Sequence, residues 1–360
     1  MDKETIKAVF AQKTERRDTT NKAYTNRLFA LKNGYEKYRQ KKCQEEENEW
    51  EGCYENWDFL KNVDDIIHYI TNVPNQKKNK NGEYTLPTDQ TKIGNLNPII
   101  EYLHLTNEFI SKEKYQDIKK VIDDKIIKTY EKSNGLTQKQ TDNILEYNEL
   151  LDYCDKLQEE CKIYEEKDFK SHLDEWEIIN LRSMCLLMKL NLCHPSRNEY
   201  ASLKFIPLVE YKKIKQPEFN YVVLGQKRCL LSISNSKTSD KNNVKVTEIV
   251  NKDLIKMLKE WRKIIIDDDR LFITPKTDKQ WTNDQLSQMM AKYSKRLINK
   301  NIGSTLMYKI IIKEVGKHYN EAMDNEDFTE AIKCNKILET YAKTRGHSQS
   351  IQKKIYLVKD

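Results

Sequence analysis

Tyr221-Val222-Val223-Leu224-Gly225, Cys229-Leu230-Leu231-Ser232-Ile233-Ser234 and Val244-Lys245-Val246-Thr247-Glu248-Ile249 are three short runs rich in apolar and β-branched residues. A glycine closes the first. Asn235-Ser236-Lys237-Thr238-Ser239-Asp240-Lys241-Asn242-Asn243 separates the second from the third. Runs of this length bounded by Gly and Asn-Asn turns read as a small antiparallel sheet. Its last turn carries two lysines, Lys237 and Lys241. Most of the remaining chain has helical periodicity, so the expected fold class is mainly α with a small antiparallel β-sheet.

Upstream of the sheet lies His194-Pro195-Ser196-Arg197-Asn198-Glu199-Tyr200-Ala201-Ser202-Leu203-Lys204-Phe205. Pro195 breaks the apolar helix that runs from 181 to 192. Ser196 has the chemistry of an N-cap, with Glu199 at the third position of a short new helix. Arg197 then falls in its first turn, and Tyr200 and Leu203 face a core. Downstream lies Arg345-Gly346-His347-Ser348, followed by a polar and basic stretch that reaches Tyr356, nine positions past the histidine. A tyrosine there, among Lys353, Lys354 and Lys359, is poorly explained as packing. It fits a phenol nucleophile delivered to a phosphate, with the imidazole holding a non-bridging oxygen.

The first half reads as helical. Apolar spacing recurs over 24–38 and over 57–69, a loop rich in Asn and Lys occupies 72–82, and a helix follows Pro87-Thr88-Asp89 over 93–105. Charged helices are expected over 115–130 and 138–164. At 360 residues the chain is long enough for two domains with cores of their own. Charged residues make up 33%, hydrophobic residues 38%, and the net charge is +7. That balance is compatible with nucleic acid but does not argue for it alone. No run of 18 apolar residues suggests a membrane span, and Met1-Asp2-Lys3-Glu4-Thr5 lacks the apolar core of a signal peptide.

Eight cysteines include no Cys-x-x-Cys pair, and Cys154 and Cys161 are spaced like a packing repeat. Reduced thiols in an intracellular protein are expected. His68, His104, His172 and His318 are isolated, so no metal site is expected. His194 is a weaker site candidate, because the Pro195 turn could bring it near a cleft. Trp176 and Trp261 read as core, and Tyr293 and Tyr341 fit helix faces.

The order arginine, sheet, lysine turn, helices, Gly-His and tyrosine resembles the catalytic domain of the tyrosine recombinase (phage integrase) superfamily. It is most similar to the divergent, Asn- and Lys-rich members from large DNA viruses and mobile elements. Matching residues are Pro195-Ser196-Arg197-Asn198-Glu199-Tyr200, Asn235-Ser236-Lys237-Thr238-Ser239, Gly346-His347-Ser348 and Tyr356. The resemblance covers 176–360 well and the upstream half only in pattern. It implies a helical core-binding, DNA-clamping domain over 1–110, a helical connecting segment over 111–175, and an α+β catalytic domain over 176–360. One element departs from the pattern. The family carries a second arginine in a His-x-x-Arg segment, and here the two positions fall on Thr305 and Tyr308. Lys309 is one residue away, about 100° around a helix, and lacks the planar fork of an arginine.

The resemblance implies a mechanism. Tyr356 attacks the scissile phosphate, giving a 3′-phosphotyrosyl bond and a free 5′-hydroxyl. Arg197 and His347 stabilise the phosphorane, Lys237 or Lys241 protonates the leaving oxygen, and Glu199 orients Arg197. No metal, nucleotide or small-molecule cofactor is implied. The partners implied are double-stranded DNA and further copies of the chain in a tetramer, without a membrane. The place of action would be intracellular: a nucleus or viral factory for a eukaryotic or viral protein, otherwise the cytoplasm. With four residues after Tyr356, the helix exchange that joins family tetramers looks truncated.

Three readings stay open: an active recombinase or integrase, which predicts a rate gain on Tyr308→Arg; a catalytically defective homologue that binds DNA as an accessory protein; and an unrelated helical interaction protein. The arginine-lysine signature of a type IB topoisomerase is not visible.

Overall fold

The computed structural model describes residues 3–13, 18–47, 54, 57–75, 78, 82–132, 136–168, 170–234, 244–265 and 269–345. Contacts divide the chain into two compact units, Met1–Thr129 and Tyr130–Asp360.

The first unit is helical. It contains α1 (Lys3–Ala11), α2 (Asp18–Glu45), a 3₁₀ turn (Asp58–Lys61), α3 (Val63–Asn72), α4 (Asp89–Leu105) and α5 (Phe109–Lys132), whose last turn reaches the division. The expected helix over 57–69 is therefore a 3₁₀ turn followed by a helix. In α3 the residues at helical spacing, Val63, Ile66 and Ile70, are the buried ones. They share a core with Phe10, Leu28, Tyr35, Ile99 and Tyr115. α4 starts before its apolar stripe because the Thr88 side chain accepts the Thr91 amide and caps it. The Tyr115 hydroxyl, deep in this core, donates to the Leu60 carbonyl at 2.8 Å.

The second unit begins with α6 (Gln138–Thr141), α7 (Tyr147–Glu165) and α8 (His172–Cys193). Where periodicity suggests one helix over 138–164, there are two. The Thr137/Gln140 pair and the Glu146/Glu149 pair each form a capping box, and two N-termini nine residues apart cannot belong to one helix. α8 is the central helix, with Leu181, Met184, Leu187, Met188 and Leu190 buried in the main core. After a 3₁₀ turn (Asn198–Ser202) come β1 (Leu203–Pro207), α9 (Leu208–Tyr211), β2 (Asn220–Leu224), β3 (Cys229–Ile233) and β4 (Lys245–Ile249). Then follow α10 (Lys252–Ile264), the short β5 (Ile273–Thr274) and β6 (Lys279–Gln280), α11 (Asn283–Ile298), α12 (Ser304–Asp324) and α13 (Phe328–Arg345).

The main sheet has the order β1-β2-β3-β4. β2, β3 and β4 pair antiparallel, as their sequences suggest. β1 is parallel to β2, with Leu203 opposite Asn220, so the sheet is mixed rather than antiparallel. The stretch read as a continuing helix after Arg197 turns into strand at Leu203. Strand geometry buries Leu203 and Phe205 on one face. The Leu203 carbonyl also accepts the Leu271 amide at 2.8 Å, which gives β1 a partner on its other side.

The stretch 111–175 is shared between the units. α5 joins the first core through Tyr115 and Ile122, and α7 joins the second through Leu150, Tyr153 and Leu157. Among the described residues, no helix is long and apolar enough to cross a membrane.

Candidate functional site

The turn from His194 to Ser202 is the hub of the second unit. His194 ends α8, and burial pulls its imidazole below the ordinary histidine range. Ser196 does not cap a helix as the sequence suggests. The N-cap position belongs to Arg197, which makes no side-chain cap, and the following turn is 3₁₀. The Ser196 hydroxyl donates instead to Glu199 Oε2 at 3.0 Å. Glu199 is thus buried with Ser196 as its partner, while half-buried Arg197 makes no hydrogen bond or ion pair among the described residues. Tyr200, fully buried, donates to the His194 carbonyl and closes the turn on itself.

Two asparagines wire this turn to the rest of the unit. Asn198 Nδ2 donates to Ser287 Oγ at 2.7 Å and to the Asn283 carbonyl at 3.1 Å, both in the first turn or two of α11. Its Oδ1 accepts the Ser304 hydroxyl at 2.9 Å, at the start of α12. Asn220, fully buried in β2, donates to the Glu199 carbonyl at 3.1 Å and Ser202 Oγ at 3.0 Å. Its Oδ1 accepts the Ser234 amide at 3.0 Å, where the chain leaves β3.

Arg345 completes the arrangement. From the last residue of α13, its Nη1 donates to the Ser196 carbonyl at 2.7 Å, and its Nη2 lies 3.4 Å from Thr305 Oγ1. Its guanidinium sits 4.2 Å above the Tyr308 ring. Arg345 is 2% exposed and Tyr308 0%. Tyr308 packs with Ile312 and with Leu338 of α13, whereas Lys309 Nζ reaches Gln140 Oε1 of α6 at 3.2 Å. Burial, and then the Arg345 charge, pull Lys309 down to about 8. A further cation, Lys245, opens β4. Its Nζ is shielded from solvent without a hydrogen-bond partner among the described residues. Burial lowers its pKa and Arg197 lowers it further, against an opposing effect from Glu199.

The sequence-predicted residues divide accordingly. Arg197, Glu199, Thr305 and Tyr308 come together around one turn, with Lys309 on the neighbouring face of α12. Lys237, Lys241, His347 and Tyr356 lie outside the described residues. The described chain resumes on either side of the lysine turn, where Ile233 pairs with Lys245, and it stops at Arg345, two residues before His347. Sequence reading assigned no role to Arg345, Asn198, Asn220 or Lys245. The first two stand inside quoted motifs, and Lys245 differs from other surface-strand lysines only through its neighbours in space.

The remaining candidates are structural. Trp261 is core and donates to the Leu271 carbonyl at 2.8 Å, while Trp176 is half-buried against His172. Tyr293 is buried and bonded to Glu177. Half-buried Tyr341 is pushed up to about 12 by its surroundings, chiefly burial, which makes it a poor nucleophile. His318 pairs with Glu314 and Glu321 on its own helix. No group of three or more His, Cys, Asp or Glu is placed to hold a metal among the described residues.

The chain matches no protein-family model, no curated protein and no solved structure.

Proposed function

We propose that this chain is a tyrosine recombinase that cuts and rejoins duplex DNA through a 3′-phosphotyrosyl intermediate. What supports the reading is one convergence. The Arg197 turn, the base of the lysine hairpin, the first turn of α12 and the residue before Gly346-His347 meet through the hydrogen bonds of Asn198, Asn220 and Arg345. These segments span about 150 positions of sequence, and nothing in an ordinary helical core calls for them to converge on a half-buried arginine.

In this mechanism the Tyr356 phenol loses its proton and its oxygen bonds to phosphorus as the P–O5′ bond breaks. Arg197 holds the two non-bridging oxygens with charge-assisted hydrogen bonds, and His347 contributes a third. Lys237 gives the departing 5′ oxygen its proton. Energy of the broken ester is kept in the phosphotyrosyl bond, so religation by the 5′-hydroxyl needs no nucleotide. Phosphate contacts by lysine and arginine carry the affinity, which falls steeply with added salt.

A second reading has its own observation. Tyr308, at the position of the family's second arginine, is fully buried and holds no charge, which fits a homologue that binds DNA without cutting it. Covalent trapping separates the two. Full-length protein and Tyr356→Phe are incubated with nicked suicide duplexes taken from the ends of the element that carries the gene. A denaturation-resistant protein–DNA band in wild type alone is the expected result. Equal salt-sensitive binding by both proteins without a band would establish the second reading instead.

A further inference from the structure

We propose that Arg345 supplies the second guanidinium of the Arg197 site, carried at the end of α13 and held in place by Tyr308, so that the charge absent from α12 has moved to its neighbour. Only the identity of the anion, a DNA phosphodiester, rests on the recombinase reading above; an oxyanion site at these residues does not.

Three observations carry this. First, Thr305 and Tyr308 are three residues apart and so share a face of α12, and Arg345 touches both: Nη2 at 3.4 Å from Thr305 Oγ1, and the guanidinium 4.2 Å over the Tyr308 ring. An arginine at position 308 would direct its head group along that same face. Second, Arg345 Nη1 holds the Ser196 carbonyl at 2.7 Å, one peptide unit from Arg197. The Arg345 guanidinium is therefore tied to the backbone beside Arg197. Third, the surroundings are cationic. Lys245 Nζ is shielded from solvent with no hydrogen bond among the described residues, within electrostatic reach of Arg197. Glu199, the carboxylate that acts on Lys245, already accepts the Ser196 hydroxyl. Converging cations around one engaged carboxylate suit a bound oxyanion, which guanidinium groups bind with strong, directional hydrogen bonds.

The aromatic ring at position 308 has a physical use in this arrangement. A flat guanidinium stacks on a flat ring and keeps its in-plane N–H groups for hydrogen bonds, which a lysine cannot do. It also reverses the expectation for Tyr308→Arg. With Arg345 present, a second guanidinium packed against it meets like-charge repulsion in a buried setting. The gain expected from restoring the family arginine should then appear only when Arg345 is removed.

The test is a four-variant comparison on the full chain, with inorganic phosphate as the probe and chloride of equal ionic strength as the reference. Thermal melting is followed against phosphate concentration for wild type, Tyr308→Phe, Arg345→Leu, Tyr308→Arg, and the double variant Tyr308→Arg/Arg345→Leu. Wild type should be stabilised by phosphate, and a Tyr308→Phe response lost altogether would show that stacking on the ring is not what holds Arg345. Arg345→Leu and Tyr308→Arg should each lose on the order of tenfold in apparent phosphate affinity, the scale of one charge-assisted contact. The double variant should regain most of that loss. Absence of a phosphate response in wild type would overturn the proposal, as would a double variant no better than Arg345→Leu. If Arg345→Leu shows no cooperative melt, Arg345→Lys keeps the charge without the flat stacking surface, and a partial loss is expected from it. Should phosphate respond as described while covalent trapping gives no adduct, the recombinase reading fails and the oxyanion site stands.

Discussion

Lys309 shows how much a single position can hide from a sequence. Beside Tyr308 it looks like a substitute for a missing arginine, and a 100° step around the helix is the only warning. In the folded chain that step separates two environments: Tyr308 faces α13, and Lys309 faces α6 through Gln140. A lysine 2% exposed and held down to about 8 by burial and by Arg345 is destabilising at neutral pH. The unfolded chain keeps this proton up to about 10.5, while the folded chain releases it near 8. Between those values the unfolded state binds more protons, so stability rises with pH. Below pH 8 the full penalty applies. Lys309→Met should therefore raise stability at pH 7 by about 1–3 kcal/mol and remove the rise between pH 8 and 10.5, as read from urea midpoints across that range. An unchanged pH profile in the variant would show that Lys309 is not the titrating group.

At the scale of elements, the sheet was legible where it is local and obscure where it is not. β2, β3 and β4 follow one another, and their turns carry Gly225 and Asn242-Asn243, so alternating propensity and turn chemistry suffice. β1 pairs in parallel with a strand that begins 17 positions on, and nothing between them marks that pairing. A capping pattern at Ser196 pointed to helix, yet Ser196 spends its hydroxyl on Glu199 and the chain extends at Leu203. The site was legible in the same uneven way. Arg197 stood out by its motif, whereas Asn220, which ties that motif to β3, lies just outside the strand run that the sequence marks. Asn220 is fully buried with three hydrogen bonds to the turn and to Ser234. Asn220→Ala should cost about 2–4 kcal/mol, because removing the amide leaves buried partners unsatisfied. It should also weaken phosphate or DNA binding without any contact to either. Denaturant unfolding and binding titrations read the two effects separately; a stability loss under 1 kcal/mol would mean that water takes over those partners.

At the scale of the whole molecule, two large hydrophobic cores are the dominant fact among the described residues, with a small third cluster of Tyr308, Ile312 and Leu338 in the second unit. One draws its buried residues from Ile6 to Ile122, and the other from Leu136 to Ile311. Sequence reading gave a helical first half, a strand cluster in the second and a connecting segment over 111–175, while packing divides the chain at Thr129. The boundary was harder to read, because α5 and α7 share a charged, amphipathic character and only packing decides which core each joins. Two cores that share no residue should melt as two thermodynamic units. Ile66 and Leu187 are each fully buried, one in each core. Ile66→Ala and Leu187→Ala should each cost about 2–5 kcal/mol. In calorimetry of the full chain, each variant should lower one transition by several degrees and leave the other in place. If one transition is seen and both variants shift it equally, the two cores unfold together.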